Sequence, residues 1–451
     1  MKTKYDYDAV VIGAGITGLV AAATLAKHGK RVLVIEGAGY IGGRAATRTA
    51  KEWGWGDSKE RMTYGPHILP TGGRLSSILA HLGAMKNVRL RRLGLPQFYM
   101  RGRVIAFPSS LLNVPETIRF YGQLKRGISG REVLAFARLG ALAVMTSEKS
   151  MIERYEGVSC EKLVEDIGIR SAAAKSIVAG IIGGYCFNDD IRTCPALDLL
   201  INLKMFIRGM ATTGTIMYYV EGGFGRVCES LARTIEGHGG EIMLDEPRTR
   251  IKGPKDGDGI ALDIGKRHPT AKNVIYTGGP RGFKQFLKRS GLDYSFLKDH
   301  LSIPPAKILD LMVVAKKRMH HVNAPWLSVF TEKGIGYVIV DEEPKRVPPY
   351  AYHVCVILNN KPTGKRALIR LISDDMKRFG FDLGKDAEWH KAIEMGGYGL
   401  EKSIALPYRK RIGPETPHRG LYWIGDSKIL EVGTDGCARA ASEAAHRILR
   451  K

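Results

Sequence analysis

The sequence lacks the patterns that would indicate a disulfide framework, a zinc site or a membrane-spanning helix. Its 451 residues include six cysteines, and none of them forms a CxxC pair or a spacing typical of metal ligands. A redox dithiol and a metal site are therefore not expected, and scattered cysteines favour a reducing compartment. No apolar window approaches the roughly 20 residues that a membrane-spanning helix needs. The first apolar run, residues 9–12, is too short for a secretory signal, so we expect a cytoplasmic protein.

Acidic residues are scarce relative to basic ones. The chain carries 69 Lys and Arg against 45 Asp and Glu, a formal net charge of +24, which favours an anionic surface or ligand as a partner. Hydrophobic residues make up 44% and charged residues 25% of the chain, as is ordinary for soluble globular proteins. Because single hydrophobic cores stop growing at about 250–300 residues, the length predicts two domains.

Several clusters of basic residues adjoin apolar segments. They fall at residues 89–92, 101–103, 125–126, 316–318 and 409–411. Basic residues beside an apolar helix suit anionic lipid headgroups, so we expect peripheral contact with the inner face of a membrane. A basic surface without a lipid partner is the alternative. No recognition motif for nucleic acid accompanies the charge, so nucleic acid is not an expected partner. The sequence predicts no oligomeric state.

The N-terminal residues predict a βαβ unit that binds a dinucleotide. A β-branched run at residues 7–12 predicts a buried strand, and residues 19–28 predict an alanine-rich helix. Residues 31–35 predict a second buried strand, which ends at Glu36. An acid at this distance from the first strand accepts hydrogen bonds from a ribose hydroxyl.

A glycine-rich turn of the GxGxxG type joins the first strand to the helix. Gly13 permits the tight turn, Gly15 lets the backbone approach a pyrophosphate, and Gly18 lets the helix and strand pack together. Ile16 and Thr17 begin the helix, whose N-terminus offers N–H groups and partial positive charge to phosphates. Because strand, turn, helix and acid occur in order, we predict a binding site rather than a structural turn.

The segment after Glu36 resembles the flavin-containing amine oxidase and phytoene desaturase superfamily. Gly37 begins a short loop, which leads to Gly42, Gly43 and Arg44. In that family the loop lies over the FAD diphosphate and the arginine is close to it. The resemblance therefore implies FAD, with charge-assisted hydrogen bonds from Arg44 to phosphate oxygens.

Two further stretches match FAD contacts of the family. Gly65, Pro66 and His67 stand where the family's chain runs toward the isoalloxazine ring, so His67 is a candidate residue at the flavin face. A histidine that caps local backbone is the alternative. A glycine loop, a helix, a Gly-Gly pair and a strand then lead to an edge segment beside the adenine, where Arg248 replaces the family's usual aliphatic residue. Because the backbone makes that contact, the resemblance still implies it.

The C-terminal region carries the last element that resembles the family. A predicted strand ends in Gly425 and Asp426, and the family places such an acid near the ribityl chain and pyrophosphate. Gly433, Thr434 and Asp435 then open a helix predicted over residues 437–449. In the family the N-terminus of this helix points at the flavin N1/O2 edge, where its dipole stabilises anionic reduced flavin.

Two departures from the amine oxidases bear on the chemistry. The cysteine that anchors covalent FAD is absent before the last strand and helix, so we expect FAD to be held non-covalently. Lys307 is the one position that we consider for the lysine that bridges through water to the flavin, and a solvated lysine is the favoured alternative. His67 and Lys307 are thus the catalytic candidates. No catalytic triad, carboxylate pair or metal cluster indicates another chemistry.

The resemblance covers essentially the whole chain and implies an α/β fold. We expect a Rossmann-like FAD-binding domain of the GR2 flavoprotein type, with an inserted α+β substrate domain. The FAD-binding domain is assigned to residues 1–85, 215–300 and 405–451. The substrate domain is assigned to residues 86–214 and 301–404.

Phytoene desaturase-like proteins are the closest overall resemblance. They imply hydride transfer between a lipophilic, isoprenoid- or carotenoid-like substrate and flavin N5. A protoporphyrinogen oxidase-like or amine oxidase-like flavoenzyme is the alternative among enzymes. An FAD-stabilised binding protein without turnover is the alternative of another class.

Overall fold

The computed structural model describes residues 5–92, 97–100, 103–106, 113–125, 127–186, 188–254, 259–319, 326–330, 336–341, 347–358, 364–400, 402–425, 431 and 433–451. The strands are β1 (Tyr7–Ile12), β2 (Val32–Ile35), β3 (Thr47–Thr49), β4 (Arg61–Thr63), β5 (Ile68–Pro70), β6 (Leu90–Arg92), β7 (Gln97–Met100), β8 (Arg103–Ala106), β9 (Met217–Val220), β10 (Glu241–Met243), β11 (Arg250–Pro254), β12 (Ile260–Asp263), β13 (Thr270–Tyr276), β14 (Pro305–Ala315), β15 (Trp326–Phe330), β16 (Gly336–Asp341), β17 (Tyr350–Ile357), β18 (Ala387–Leu400) and β19 (Leu421–Trp423).

The helices are α1 (Ile16–Lys27), α2 (Arg74–Leu82), α3 (Val114–Leu124), α4 (Gly130–Met145), α5 (Glu148–Tyr155), α6 (Cys160–Asp166), α7 (Ala172–Cys186), α8 (Ala196–Thr213), α9 (Gly225–Gly237), α10 (Pro280–Arg289), α11 (Lys298–Ser302), α12 (Lys365–Met376), α13 (Leu383–Asp386) and α14 (Gly433–Leu449). Short 3₁₀ turns lie at Gly43–Ala45, Ala84–Asn87, Ser295–Leu297, Lys377–Phe379 and Tyr408–Lys410. Within the described part of the chain, no helix combines the length and the apolar character needed to cross a bilayer.

The first large sheet is mainly parallel and is covered on both faces. Its order is β10-β2-β1-β13-β12-β11, and β19 pairs with β13. Helices α1, α9 and α14 pack together on one face, and the buried residues of α1 and α14 include nine alanines. Small side chains let these helices approach one another closely. Phe283, Phe286 and Leu287 of α10 join an apolar cluster with β1, β2, β13 and β19, as a doubly buried sheet requires.

The second large sheet has the order β18-β14-β17-β16-β15-β7-β8. Leu309 and Leu311 of β14 pack with Leu368 and Ile372 of α12 in one buried cluster. Because successive strand residues point to opposite faces, the alternate residues of β14 lie on the other face. Helices α3 to α8 form a separate apolar core, and α7 contacts β15 and β16.

The α/β fold with a Rossmann-like domain is confirmed. The ends of some helices differ from the predicted ends. Helix α1 begins three residues before the predicted helix, because Gly15 is its extended N-cap and Ile16 is already helical. Helix α14 begins at Gly433, so the predicted opening turn is its first helical turn. The helix-rich region also contains β6, which pairs with β9, and β7, which pairs with β15.

A buried ion cluster links the helical region to the C-terminal segment. Asp198 of α8 is fully buried and accepts hydrogen bonds from the guanidinium of Arg411, at 3.0 Å from Nη2. The ammonium of Lys402 lies 3.8 Å from the same carboxylate. Arg411 and Lys402 both depend on the Asp198 carboxylate, because a buried charge without a compensating partner is strongly destabilising.

We expect Asp198→Ala to lower the free energy of unfolding by about 3–5 kcal/mol, because it removes the buried carboxylate that Arg411 and Lys402 share. Asp166→Ala is the matched control, since Asp166 forms an exposed ion pair with Lys162, which contributes about 0–1 kcal/mol. Urea denaturation measures both. Equal losses in the two variants would contradict a stabilising role for the cluster.

Candidate active site

A cavity of about 900 Å³ extends from the edge of the first sheet to the second sheet. It is lined by most of the predicted cofactor-binding residues: Gly13, Gly15, Ile16, Thr17, Glu36, Gly37, Gly42, Gly43, Arg44, Gly65, Pro66, His67, Gly433, Thr434 and Asp435. These residues come from separate parts of the chain, and the fold brings them to one place. They remain predicted ligands of the cofactor.

The parallel strands explain why this edge holds the site. In the sheet register, Ile12 of β1 lies opposite both Ile35 of β2 and Tyr276 of β13. The next residues, Gly13, Glu36 and Thr277, therefore follow at the same carboxyl edge and all line the cavity. Ligands of open α/β sheets bind at this edge.

The glycines of the turn have distinct steric roles. Gly13 has φ +109°, and a Cβ there would lie 2.2 Å from Thr277 Oγ1. A Cβ on Gly18 would lie 1.9 Å from the Gly13 carbonyl oxygen, so Gly18 packs the helix on the turn and does not line the cavity. A Cβ on Gly15 would lie 3.9 Å from the carbonyl oxygen of Gly42, an ordinary van der Waals distance. The open space at Gly15 is what a pyrophosphate cradle requires.

Glu36 is held rigidly at the cavity wall. Its carboxylate accepts hydrogen bonds from the backbone N–H of Ala14 at 2.7 Å and of Ala38 at 3.0 Å. Each oxygen of a carboxylate has two lone pairs, so further acceptor capacity is available for hydroxyl groups. The acid therefore fixes the glycine turn and can still bind a ribose.

The GGR segment lies directly against the glycine turn. The Gly42 N–H donates to the Ala14 carbonyl at 2.7 Å, and Gly42 and Gly43 both adopt positive φ, +105° and +53°. This backbone leads into the short 3₁₀ turn that carries Arg44 to the cavity wall. Positive φ is uncommon for residues other than glycine, which accounts for the Gly-Gly pair.

Asp435 contributes a buried carboxyl to the cavity wall. Its Oδ1 accepts a hydrogen bond from the Leu75 N–H at 2.9 Å, so it binds the N-terminus of α2 from the first turn of α14. Burial raises the pKa of Asp435 to about 7. The group is therefore largely protonated in slightly acidic solution.

Some predicted site residues lie outside the cavity. Arg248 is exposed, whereas its neighbours Pro247 and Thr249 line the cavity, in agreement with a contact made by the backbone. Lys307 is exposed on β14 and is not among the lining residues. Gly425 follows β19 and does not line the cavity, and Asp426 lies outside the described residues.

The structure adds lining residues that the motifs did not indicate. Tyr276 stacks on Phe283 and Phe286 at ring-centroid distances of 5.0 Å, and burial raises its pKa to about 12. Thr277 donates to the Ile12 carbonyl at 2.9 Å. The sequence could have indicated Tyr276 and Thr277 by their position at the end of a strand, which pairs in parallel with β1.

The far part of the cavity is an apolar chamber between α7 and the second sheet. Its helix wall consists of small residues at helical spacing, namely Ser176, Ala179, Gly180, Gly183 and Gly184. Its sheet wall includes Ile308, Ser328, Val338, Val340, Cys355, Ile357 and Met395. Val329, Tyr337 and Val356 also line it, although their side chains belong to the cluster packed against α12. Asp189, Asp190 and Arg192 also line the cavity, and Arg192 donates to Asp190 in a two-point ion pair at 2.9 and 2.8 Å. None of these residues was assigned to the site from sequence.

The turn, the acid at the second strand and the cavity define a dinucleotide-binding protein of the α/β class. The family model of flavin-containing amine oxidoreductases matches residues 16–449. The chain therefore belongs to this family, and it is an FAD-dependent oxidoreductase.

Solved structures share this fold along nearly the whole chain. An oxidoreductase from Methanosarcina mazei has a TM-score of 0.68 at 19% identity, covering 98% of this chain and 100% of that chain. Cyclohexylamine oxidase from Brevibacterium oxydans has a TM-score of 0.66 at 18% identity, covering 99% of each chain. Identities this low show a common fold and do not transfer a substrate.

Curated relatives match over a shorter region. The Rab GDP-dissociation inhibitor of Saccharomyces cerevisiae is 22% identical over 312 residues, 63% of this chain and 66% of that protein. A guanosine nucleotide diphosphate dissociation inhibitor of Arabidopsis thaliana is 22% identical over 304 residues, again 63% of this chain and 66% of that protein. The chain thus spans 66% of the length of these relatives.

The cavity residues fit FAD. No side chain among the described residues caps α1, so the N–H groups of its first turn can donate to phosphate oxygens. Glu36 can accept from the ribose, Arg44 can pair with the diphosphate, and His67 lies farther along the wall. FAD supplies a hydride acceptor at flavin N5 when it is bound.

We expect the purified protein to be yellow and to release FAD on acid precipitation, because the chain lacks the family's anchoring cysteine. Glu36→Ala and Arg44→Ala should each weaken FAD binding by about 1–3 kcal/mol, roughly 5- to 150-fold in Kd. Glu236→Ala and Arg233→Ala change exposed side chains on α9 and should leave Kd unaltered. Unchanged affinity in both site variants would refute these assignments, and flavin retained in the precipitate would refute non-covalent binding.

The raised pKa of Asp435 predicts a pH-dependent stability. The unfolded chain ionises this carboxyl near pH 4 and the folded protein near pH 7. Its contribution to stability is therefore complete below about pH 4 and is lost as the pH rises to about 7. Relative to Asp435→Asn, which keeps the Oδ1 acceptor, the wild type should lose about 4 kcal/mol across that range. Urea denaturation from pH 4 to pH 8 measures the difference, and parallel curves would contradict it.

Proposed function

We propose that this FAD-dependent oxidoreductase transfers a hydride between flavin N5 and a lipophilic substrate of the isoprenoid or carotenoid type. The apolar chamber between α7 and the second sheet is the observation that carries the proposal. A site that binds by apolar burial gains about 0.8 kcal/mol per buried CH₂. A long hydrocarbon can therefore bind in it without a charged group.

The small side chains of α7 leave room for an elongated substrate that lies along the helix. A Cβ on Gly183 would lie 3.3 Å from the Cβ of Asp189 and 3.4 Å from Ile357 Cδ1. Helix and sheet therefore approach closely here, and a larger side chain would fill part of the chamber. We infer that Gly183 keeps the passage open.

The two chain segments around the chamber form the proposed substrate domain. Helix α7 comes from residues 86–214, and strands β14, β16 and β17 come from residues 301–404. Both segments contribute lining residues, which supports assigning them to one substrate domain above the FAD-binding domain.

An amine substrate is the alternative among enzymes, and the chamber has few groups that would bind an ammonium ion. Asp190 already forms an ion pair with Arg192, which reduces the field that would attract an ammonium group. Lys307 is exposed and does not line the cavity. Asp189 is the remaining carboxylate that we would test for an amine.

We expect polyisoprenoid hydrocarbons such as squalene to exchange electrons with the flavin faster than putrescine or benzylamine, because the chamber recognises apolar length. Anaerobic stopped-flow absorbance of the flavin with both classes measures this. Flavin bleaching by an amine while every hydrocarbon is inert would overturn the substrate class. A flavin that no compound of either class reduces would favour the non-catalytic binding protein.

A matched pair of variants locates the binding site. Gly183→Leu should slow flavin reduction by squalene at least tenfold, because the added side chain enters the chamber. Gly237→Leu places the same side chain in open space at the end of α9 and should react as the wild type does. Both variants should retain FAD, and equal rates in the two would exclude the chamber as the hydrocarbon site.

We also propose peripheral contact with an anionic membrane through helices α3 and α4. Val114 and Ile118 of α3 are 61% and 66% exposed, and Met145 of α4 is 85% exposed. One face of α4 presents Arg131, Leu134, Arg138, Ala141 and Met145, all of them exposed. Apolar side chains interleaved with arginines suit an anionic lipid surface. Of the basic clusters, Arg411 is buried in an ion pair, and Arg101 and Arg126 lie outside the described residues.

We expect binding to vesicles that contain phosphatidylserine to fall steeply with salt, because the Debye length shrinks from about 10 Å at 0.1 M to about 3 Å at 1 M. Combining Ile118→Asp with Met145→Asp should weaken co-sedimentation further. Val347→Asp changes an exposed apolar residue on another element and serves as control. Equal binding to neutral vesicles, or no binding to either, would contradict membrane contact.

A further inference from the structure

A buried histidine and a buried aspartate form a pair on the cavity side of the second sheet. His353 Nδ1 lies 2.7 Å from Asp310 Oδ2, and both side chains are fully buried. Cys355 lies 3.6 Å from the other carboxylate oxygen and lines the chamber. By strand alternation, Asp310 shares a face with Ile308, which also lines the chamber.

Packing alone does not explain this pair. Around it, the same face of the sheet is apolar, with Met312 and Val314 packed against Met62. Replacing a buried ionisable pair by apolar residues is often neutral or stabilising. A titratable pair beside a cavity is therefore a candidate for function.

His67 connects this pair to the FAD-binding side of the cavity. Its ring lies 4.1 Å from the ring of His353, centroid to centroid, with an interplanar angle of 40°. His67 lines the cavity, follows Gly65 and Pro66, and precedes β5. It is thus one of the residues through which the flavin-binding half meets the second sheet.

We propose that His67 is the residue that exchanges the proton of the reaction, and that Asp310 and His353 are positioning residues for it. The Asp310 carboxyl group accepts the Nδ1–H of His353, which fixes the tautomer of that ring. The tilted contact with the His353 ring then holds the His67 ring in place.

The proton balance of the step is complete. With FAD bound, oxidation of a substrate would pass a hydride from one substrate atom to the flavin, which would be reduced by two electrons, and a proton from the neighbouring atom to the His67 imidazole. A double bond would form in the substrate, and the histidine would become cationic. Reduction of a substrate is the reverse. This assignment rests on the FAD chemistry of the family and does not require the substrate to be lipophilic.

The other titratable groups around His67 are few in the described part of the chain. On the second sheet they are His353, Cys355 and Asp310. On the first-sheet side they are Tyr64, whose pKa is raised chiefly by burial and also by Asp310, and Arg44, whose charge opposes that rise. Asp310→Asn is therefore a suitable test variant, because it removes the carboxyl group and keeps the shape of the side chain.

The test measures the flavin midpoint potential against pH by dye equilibration, without any substrate. If His67 takes up a proton when the flavin is reduced, the wild-type potential has a steeper segment in the range where histidine titrates, about pH 5–8. His67→Gln should abolish that segment. Asp310→Asn should weaken that segment, because the carboxylate that fixes the His353 ring beside His67 is lost. His390→Gln changes an exposed histidine of the same sheet and should behave as the wild type.

A second measurement needs no variant. In wild-type protein labelled with ¹⁵N-histidine, His353 should show a protonated Nδ1 and an unprotonated Nε2 at pH 8. An Nε2–H tautomer or a doubly protonated ring would overturn the role of Asp310. A steep segment that persists in His67→Gln would overturn the role of His67, whether or not His353→Gln loses it. FAD content is measured for every variant, so a loss of flavin is not mistaken for a loss of coupling.

Discussion

The close contact between Gly18 of α1 and the carbonyl of Gly13 is the constraint on which the site depends. A side chain at Gly18 would lie 1.9 Å from that oxygen, so glycine alone lets the helix begin directly above the strand. From this contact follow the uncapped helix N-terminus at the cavity, the hydrogen bond from Ala14 to Glu36 and the hydrogen bond from Gly42 to Ala14. Thr277 closes the turn from the neighbouring strand. One steric requirement therefore positions the acid, the GGR loop and the helix dipole together.

The dinucleotide half of the cavity could be predicted from sequence because its elements are local. Strand, glycine turn, helix and acid lie within the first 36 residues, and backbone geometry demands particular residues at Gly13 and Gly18. The α/β class and the FAD cofactor followed from the family resemblance, which begins with the segment after Glu36. Helix ends were less predictable, because caps such as the extended Gly15 depend on backbone angles that composition does not reveal.

The chamber half could not be predicted, because its walls are joined only by tertiary structure. The small face of α7 reads as an ordinary apolar helix until the second sheet is set against Gly183. Asp310 and His353 are 43 residues apart on strands that pair in antiparallel register, and no local pattern connects them. His67 was indicated by its place in the family's motif, whereas its ring contact with His353 could be recognised only from the fold. The predicted cofactor site is therefore built from local sequence patterns, whereas the chamber is built from tertiary contacts.

We propose that a single cavity holds FAD at the glycine turn and an apolar substrate beside α7. A crystal structure of the FAD-loaded protein soaked with squalene is the decisive experiment. We expect the diphosphate over Gly15, the flavin ring beside His67, and hydrocarbon density in the chamber that Gly180 and Val338 line. A flavin ring that itself fills the space between α7 and the second sheet, or hydrocarbon bound only outside the cavity, would contradict it.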